Sequence, residues 1–301
     1  EITEELQGEP SQGNEDFSVG KIVKNVKDKV QNVLKSGQAP AKTPKNPEDY
    51  FIFNESTNTI TGYSSSPDAP KDIKIPATIN GVNVEHIGDN AFSGQQLTGL
   101  SFELPSNLKT IGKSAFESNL SLSGDLVIPN GIDSIGDDAF RTISILSVTI
   151  PDGVKNIGNN VFEDCRSLES ATVPAGTKIG NYLYNGCVKL VNVKISKGVK
   201  IISKGMFNSC FSLENIIIPD SVESIETYAF QSTLLKSIDI PNSVKHIGHI
   251  AFGSTPLRSL TIPYSVTTID EGAFNYCKNL NEIRIPDKEK GSISGAPWGA
   301  D

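Results

Sequence analysis

Hydrophobic positions recur along this chain with a fixed period. A large aromatic residue stands at nine positions, separated by 24, 24, 22, 22, 23, 23, 22 and 22 residues, and an isoleucine lies five residues before each of them. Self-similarity at a period of about 20–50 residues is typical of solenoids and other repeat proteins, so the pattern predicts one array of nine stacked units. The aromatic residues are Phe92, Phe116, Phe140, Phe162, Tyr184, Phe207, Phe230, Phe252 and Phe274.

Each unit also contains apolar residues at the spacing L-x-x-L-x-L. In the fourth unit these are Leu168, Ala171 and Val173, and an apolar residue followed by proline ends most units. Alternation over the last three positions predicts a strand with one buried face, and proline ends it because proline has no N–H for a ladder. This spacing marks the strand of a leucine-rich repeat. The predicted fold class is therefore an α/β repeat, a right-handed leucine-rich-repeat solenoid that is mostly β with short helical turns.

The chain is expected to turn directly after the isoleucine column. In the fourth unit it turns at Gly158 into a short helical turn that carries Val161 and Phe162. The turn residue is glycine in six units only, so a left-handed backbone is not expected at this position. The other three units have Ser203, Glu226 and Asp270 there. A single unit cannot bury its own apolar side chains, so stacking is expected to make one continuous core.

Segments outside the repeats predict caps and an N-terminal extension. YFIFN at 50–54 and TITGY at 59–63 flank the polar ESTN, which predicts a β-hairpin that covers the first unit. SVGKIVKNVKDKVQNVLKSG at 18–37 predicts an amphipathic helix, followed by a Pro-rich tether. The predicted parts are 1–48 (helix and tether), 49–75 (hairpin cap and lead-in), 76–286 (nine repeats) and 287–301 (C-terminal cap, with Trp298 over the last unit).

The predicted N-terminal helix has a lysine-rich polar face, which leaves a membrane-surface or partner-binding role open. Packing on the array or self-association is the favoured interpretation. The sequence begins at Glu1 rather than methionine, which indicates that an N-terminal segment was removed by processing or by design.

Composition agrees with a folded array. Hydrophobic residues make up 37% of the chain and charged residues 21%, so disorder by composition is excluded. No apolar run approaches the roughly 18 residues of a membrane span. The net charge of −8 weighs against general nucleic-acid binding, which needs a basic surface.

The four cysteines share one column of the array, three residues after the aromatic position. Neighbours in one column point in parallel, whereas a disulfide needs side chains that point at each other. A zinc site usually shows paired ligands at short spacing, and three scattered histidines do not supply them. Four free, inert thiols and no metal or cofactor are predicted. The residues are Cys165, Cys187, Cys210 and Cys277, with His86, His246 and His249.

No catalytic motif is found. H-E-x-x-H, G-x-S-x-G and G-x-x-x-x-G-K-[ST] are all absent from the sequence. The acidic pairs at 137–138 and 163–164 could be imagined as glycosidase carboxylates, but their place in repeat turns favours solvated polar residues. No catalytic residue is therefore predicted, and an enzyme would need an acidic pair that faces a deep cleft.

The outward side of the predicted strands is the natural binding surface, because solenoids present an extended strip that is expected to be concave. Two exposed columns run along it without any aromatic residue, and Arg284 is its one residue of a type common in hot spots. Any contact there is expected to be broad and polar. The candidate binding residues, named here the strand-face strip, are Asn192, Lys194, Asn215, Ile217, Ser237, Asp239, Ser259, Thr261, Glu282 and Arg284.

The recurring I-P-x-x-V-x-x-I-G-x-x-A-F-x-x-C-x-x-L-x-x-I-x-I-P, the lead-in TITGY with IKIPATINGVNVEHIGDNAF, and the closing GAPWGA resemble the bacterial BspA-like leucine-rich-repeat proteins. The resemblance covers roughly residues 50–300. It implies an exported or cell-surface protein of host-associated bacteria with a role in adhesion or host-protein binding, and no catalytic constellation. Tyr184 in place of Phe, Ser196 in place of Pro, and insertions near Glu103 and at 120–124 depart from the pattern and are expected to alter curvature locally.

Three functions follow as hypotheses. The leading one is a secreted or surface module that attaches to a protein partner, such as a host extracellular-matrix or mucosal protein. The alternative is a passive structural spacer of the cell surface, and the third is a carbohydrate-active enzyme.

Overall fold

The computed structural model describes residues 46–99 and 102–285. The predicted amphipathic helix, most of the Pro-rich tether and the C-terminal cap lie outside the described residues. A short 3-10 helix, Pro47–Tyr50, precedes the first strand. In chain order the strands are β1 (Phe51–Asn54), β2 (Thr59–Tyr63), β3 (Thr78–Ile79), β4 (Val82–Asn83), β5 (His86–Ile87), β6 (Thr98–Gly99), β7 (Phe102–Glu103), β8 (Thr110–Ile111), β9 (Ser121–Val127), β10 (Ser134–Ile135), β11 (Ser144–Thr149), β12 (Asn156–Ile157), β13 (Ser170–Val173), β14 (Lys178–Ile179), β15 (Asn192–Ile195), β16 (Ile201–Ile202), β17 (Ser224–Ile225), β18 (His246–Ile247), β19 (Ser259–Thr261), β20 (Thr268–Ile269) and β21 (Glu282–Arg284).

The chain forms a β-solenoid of about nine turns, as the period predicts. Two-residue strands that end in the isoleucine column stack in parallel and in register, for example Ile135 on Ile157. The longer strands stack in the same way on a second face, for example Val148 on Ala171. Paired parallel strands come from consecutive units, and every unit contributes a short strand, whereas units six and seven, whose residues are all described, contribute no strand to the second face.

The turn after the isoleucine column corrects one prediction, because it is not helical in the described units. In the fourth unit Asn160 and Asp164 have φ of 57° and 55°, on either side of Phe162. These left-handed residues direct backbone groups toward the next unit, so the N–H of Phe162 donates to the carbonyl of Leu183 at 3.0 Å. A third ladder between units therefore replaces the bonds that a helix makes within one segment. The prediction failed because short turns of either kind carry the same apolar pattern.

The core lies between these three faces. The nine aromatic side chains are buried and stack along the array with ring centroids 5.0–6.0 Å apart. Their interplanar angles are between 1° and 18°, which is the offset parallel arrangement that aromatic rings favour. The isoleucine column is buried beside them except at Ile179, which is half-buried. The predicted continuous core is therefore present.

The predicted N-terminal hairpin is also present. β1 and β2 pair antiparallel, with Phe51 opposite Tyr63, and β2 pairs in parallel with β5 of the first unit. Phe51 and Tyr63 both contact the ring of Phe92, at centroid distances of 6.1 and 5.9 Å. The hairpin thus covers the aromatic column where the array begins.

Glycine after the isoleucine column is favoured by close packing between units rather than by a left-handed backbone. The mixed residues at this position predict that the backbone there is not left-handed. Gly158 does not adopt a left-handed backbone. A Cβ on it would lie 2.5 Å from the backbone nitrogen of Asp137 and 2.7 Å from the backbone carbon of Gly136. The absence of a side chain therefore lets consecutive units approach at this corner.

Candidate functional site

The structure places all ten residues of the strand-face strip at exposed positions. Six of them lie on strands: Asn192 and Lys194 on β15, Ser259 and Thr261 on β19, and Glu282 and Arg284 on β21. The other four, Asn215, Ile217, Ser237 and Asp239, lie in segments that the sequence predicts to be strands but that do not pair. The strip is therefore interrupted in the sixth and seventh units.

The interruption leaves backbone groups of β15 exposed at a sheet edge. The N–H of Asn192 donates to Glu169 and that of Ser196 to Val173, so these residues face the preceding unit. Consecutive residues of a strand direct their backbone groups to opposite sides, and Val193 therefore faces the following unit. In the described part of the chain, no backbone hydrogen bond joins 191–195 to 214–218.

The sheet of two-residue strands is also interrupted at the boundary between units five and six. Within the described ranges, β14 and β16 share no backbone hydrogen bond, and the hydroxyl of Ser203 instead donates to the carbonyl of Gly180 at 2.7 Å. The aromatic stack is widest here, with 6.0 Å between the centroids of Tyr184 and Phe207. The turn ladder continues, since the N–H of Tyr184 donates to Met206 at 2.9 Å. Units five and six are thus joined by the turn face and the core.

A groove of about 600 Å³ runs over the strand face of the third to sixth units, and the boundary between units five and six lies at one end of it. It brings together four residues of the strip, Asn192, Lys194, Asn215 and Ile217. Ile217 is 84% exposed, and Val191 at the groove is 44% exposed. Ile217 is the most exposed aliphatic side chain in its outward column, which also holds Val127 and several Thr residues, and a partner could bury it with most gain.

Positive charge is concentrated around the groove. Between Ser170 and Leu213 the sequence has six lysines and no aspartate, glutamate or arginine, in a protein of net charge −8. All six lysines are exposed. Lys200 pairs with Glu223 at 2.6 Å, and the amine of Lys204 lies 5.8 Å from the ring centroid of Tyr182. The other four, which have no ion pair among the described residues, are Lys178, Lys189, Lys194 and Lys197.

This basic region was not among the predicted features, although the acid-free stretch is visible in the sequence. Arg284 was singled out among the predicted residues, but its guanidinium is bound by Glu282 of the same strand at 2.7 and 2.8 Å. The pair holds the pKa of the Glu282 carboxyl below its usual range. Arg284 is therefore less available to a partner than its residue type indicates.

The four cysteines are free and buried, as predicted. Each Sγ lies against the carbonyl oxygen of the aromatic residue one unit earlier, for example Cys165 against Phe140 at 3.2 Å. Burial raises the pKa of Cys165 to about 12 and shifts the pKa of Cys187 and Cys210 upward as well. Thiolates are the reactive form, so the geometry favours a structural role.

The acidic pairs at 137–138 and 163–164 lie in the turns that follow the isoleucine column, and their side chains contact other residues of those turns. Asp137 accepts from the backbone N–H of Asn159 at 2.7 Å, and Glu163 contacts Arg141 at 3.0 Å. Carboxylates are absent from the residues that line the strand-face groove. Among the residues that the structure describes, no cluster of His, Cys, Asp and Glu could hold a metal ion. His86 and His246 are half-buried beside the isoleucine column, and His86 contacts the hydroxyl of Thr110 at 2.8 Å.

Stacked leucine-rich units with a turn ladder define a class of bacterial solenoids, and the comparisons identify the family. Residues 65–178, 118–236 and 177–294 match the family described as "BspA type Leucine rich repeat region". These segments cover more than half of the chain, which therefore belongs to the BspA-type leucine-rich-repeat family. The predicted resemblance is confirmed.

Solved structures of bacterial proteins share the fold. A leucine-rich repeat protein from Bacteroides ovatus is 25% identical with a TM-score of 0.68, over 82% of this chain and 66% of the other. The T. pallidum leucine-rich repeat protein is 26% identical with a TM-score of 0.53, over 62% of this chain and 88% of the other. This chain thus spans less than two thirds of the Bacteroides ovatus protein. No curated protein matches the chain.

In the part of the chain that the structure describes, no helix has both the length and the apolar character that a bilayer span requires.

Proposed function

We propose that this protein is a non-catalytic attachment module of the bacterial cell surface or its surroundings, and that the strand face binds another protein. Family membership supports the location, since the BspA-type resemblance implies exported proteins. The single observation that carries the binding role is the groove over the third to sixth units, at one end of which Ile217 projects into solvent.

An exposed apolar side chain of this kind suits a protein partner. Burial of a large aliphatic side chain contributes about 1.5–3 kcal/mol, and interface energy is usually concentrated in a few such residues. The surrounding amide groups of Asn192 and Asn215 and the amine of Lys194 supply a polar rim. An enzyme is disfavoured because the residues that line this groove offer no acid, base or nucleophile beyond Ser, Thr and Lys.

The spacer role has support of its own on the strand face. Arg284 at one end of the strip is bound by Glu282, and Ser147, which lines the groove, donates to Asp125 at 2.6 Å, so these polar groups are satisfied within the array. A spacer needs a surface of this kind and no more.

Binding of the full chain to immobilised fibronectin, collagen and mucin, and to intact bacterial cells, tests the proposal. The decisive variant is Ile217→Thr, because threonine is found elsewhere in the same column and keeps the β-propensity. Val127→Thr is the matched control, since Val127 occupies the same column at 59% exposure and does not line the groove.

We expect saturable binding to at least one target, which Ile217→Thr weakens by about five- to thirtyfold, or roughly 1–2 kcal/mol. Val127→Thr should leave it within about twofold. Equal effects of both variants would show that the groove is not the binding site. Absence of binding to every target would favour the spacer function over attachment.

A further inference from the structure

We propose that the opening between units five and six binds an acidic, extended polypeptide segment of the partner, which adds to β15 as a further strand. This inference rests on the attachment function proposed above. It names the chemistry of the partner segment and the backbone groups that recognise it.

Backbone groups carry the first part of the argument. β15 is the last strand of a sheet that runs through β13, β11 and β9, and its outer edge faces the opening. The N–H and carbonyl of Val193 point into that space, and in the described ranges they have no backbone partner there. Unpaired edge groups of this kind are a template for an added strand.

Side chains at the opening carry the second part. A strand bound along the edge of β15 would lie at the end of the groove that residues of units five and six line, and the groove's volume of about 600 Å³ is within the size range of binding sites. Alternate residues of such a strand point to opposite sides. One set would meet the apolar side chains of Val191 and Ile217, and the other would face the polar strip and Lys194.

Charge decides which kind of segment fits. Lys194 lines the strand-face groove, and Lys178 and Lys200 line a second cleft of about 310 Å³ at the same boundary. Lys200 is paired with Glu223, but Lys178 and Lys194 have no ion pair among the described residues, so a basic segment would be repelled there. An acidic segment with alternating apolar residues satisfies both the lysines and the groove.

Anionic polysaccharides and nucleic acids also bind lysines, but they use neither the unpaired edge nor the apolar groove. Their recognition depends on charge, and nucleic acid on stacking as well. The combination of Val193, Ile217 and Lys194 at one boundary therefore favours a polypeptide.

The test uses the full chain and a fluorescein-labelled peptide of about ten residues that alternates glutamate and valine, a typical strand length or longer. Fluorescence anisotropy measures its affinity. Two further peptides carry N-methyl groups on the valine amides or on the glutamate amides, which keeps the charge and removes alternate backbone donors. A lysine–valine peptide and a heparin fragment serve as the charge-reversed and non-peptide ligands.

We expect micromolar binding of the glutamate–valine peptide, weakened by about tenfold or more in Lys194→Glu and by N-methylation of at least one set of amides. Lys278→Glu is the matched control, because Lys278 is exposed, has no ion pair in the described part of the chain and lies in the last unit. It makes the same change in net charge and should alter affinity by less than about twofold. Thermal unfolding of each variant shows that the fold is kept.

Several outcomes overturn the proposal. Equal affinity for all three glutamate–valine peptides would show attraction by charge alone, and tighter binding of heparin would show a polyanion site. Self-association in sedimentation that competes with the peptide would make a second copy the occupant. Failure of the peptide to bind, while a target protein is still captured in an Ile217-dependent way, would refute this inference and leave the attachment function standing.

Discussion

Ile250 offers a sharp test of the turn geometry. Its φ is 52°, in the left-handed region, where a β-branched side chain is a rare outlier. The equivalent positions in other units include Asn90 and Asn160, with φ of 57°, and Gly272, with φ of 70°. Asparagine tolerates this conformation far better, so Ile250→Asn removes strain at a place where the fold already accepts the new residue.

The size of the effect follows from two opposing terms. A left-handed conformation costs an ordinary L-residue roughly 1–2 kcal/mol, most of which the substitution recovers. Ile250 is half-buried and lies over Gly253, and asparagine keeps its Cβ, so loss of apolar contacts costs about 0.5–1 kcal/mol, well below the figure for a fully buried aliphatic side chain. We expect a net stabilisation of about 0.5–1 kcal/mol.

Urea unfolding of the full chain, followed by circular dichroism, measures the difference. With an m-value of about 3 kcal/mol/M, the midpoint should rise by roughly 0.2–0.3 M. The reverse change, Gly272→Ile, is the matched control, and it should lower the midpoint because it creates the same strain one unit further along. A lower midpoint for Ile250→Asn, or a tolerated Gly272→Ile, would refute the argument that this column is strained by side chains.

Three further results are expected. Cys165, with its pKa raised to about 12 by burial, should not react with a thiol reagent in the native protein, and all four thiols should react once urea unfolds it; rapid native labelling would contradict the buried column. The amine of Lys155 lowers the pKa of the Asp133 carboxyl, so their pair stabilises the fold above the unfolded-state pKa of about 3.9 and is lost as the pH falls through the lower folded-state value. Unfolding midpoints of wild type and Asp133→Asn should therefore differ slightly near neutral pH and converge in strong acid, whereas a difference that grows in acid would reverse the sign of this argument. The amide of Val193 should exchange with solvent faster than that of Ala171, which occupies the same column in a paired strand, and equal protection would mean that the sheet is closed.

Much of the fold could be predicted because each unit places the same type of apolar residue at the same position of the repeat. An isoleucine five residues before every aromatic is strong evidence of a shared buried position, and nine copies remove the ambiguity of a short apolar run. The hairpin cap was predictable as well, since alternating apolar residues flank a polar turn at 51–63. These features depend on residue pattern alone.

Other features depend on how two units meet, and a pattern within one unit does not reveal them. Asn160 and Asp164 carry a signal for left-handed backbone, but Tyr182 and Ile250 adopt the same conformation without one. The segment at 216–218 is three isoleucines and predicts an ideal strand, yet it does not pair. Strand pairing needs a partner at the right distance, which the sequence of one strand does not state.

The candidate site was partly predictable for the same reason. The outward columns followed from alternation, and all ten proposed residues are exposed. The groove that gathers Asn192, Lys194, Asn215 and Ile217 is formed by residues of four units, so no single-unit pattern marked these four above the rest. The available signal was the stretch between 170 and 213, which has six lysines and no acidic residue. The net charge of −8 for the whole chain does not reveal this local excess of positive charge.

Hydrogen exchange of the full chain, with and without the glutamate–valine peptide, tests whether a bound segment adds to the edge of β15 as a further strand. The account predicts that the peptide slows exchange at Val193 and Ile217 by about tenfold or more and leaves Ala171 unchanged, because an added strand supplies the missing backbone partners along one edge. Bound peptide with unchanged exchange at Val193, or with protection confined to the turn face, would contradict it.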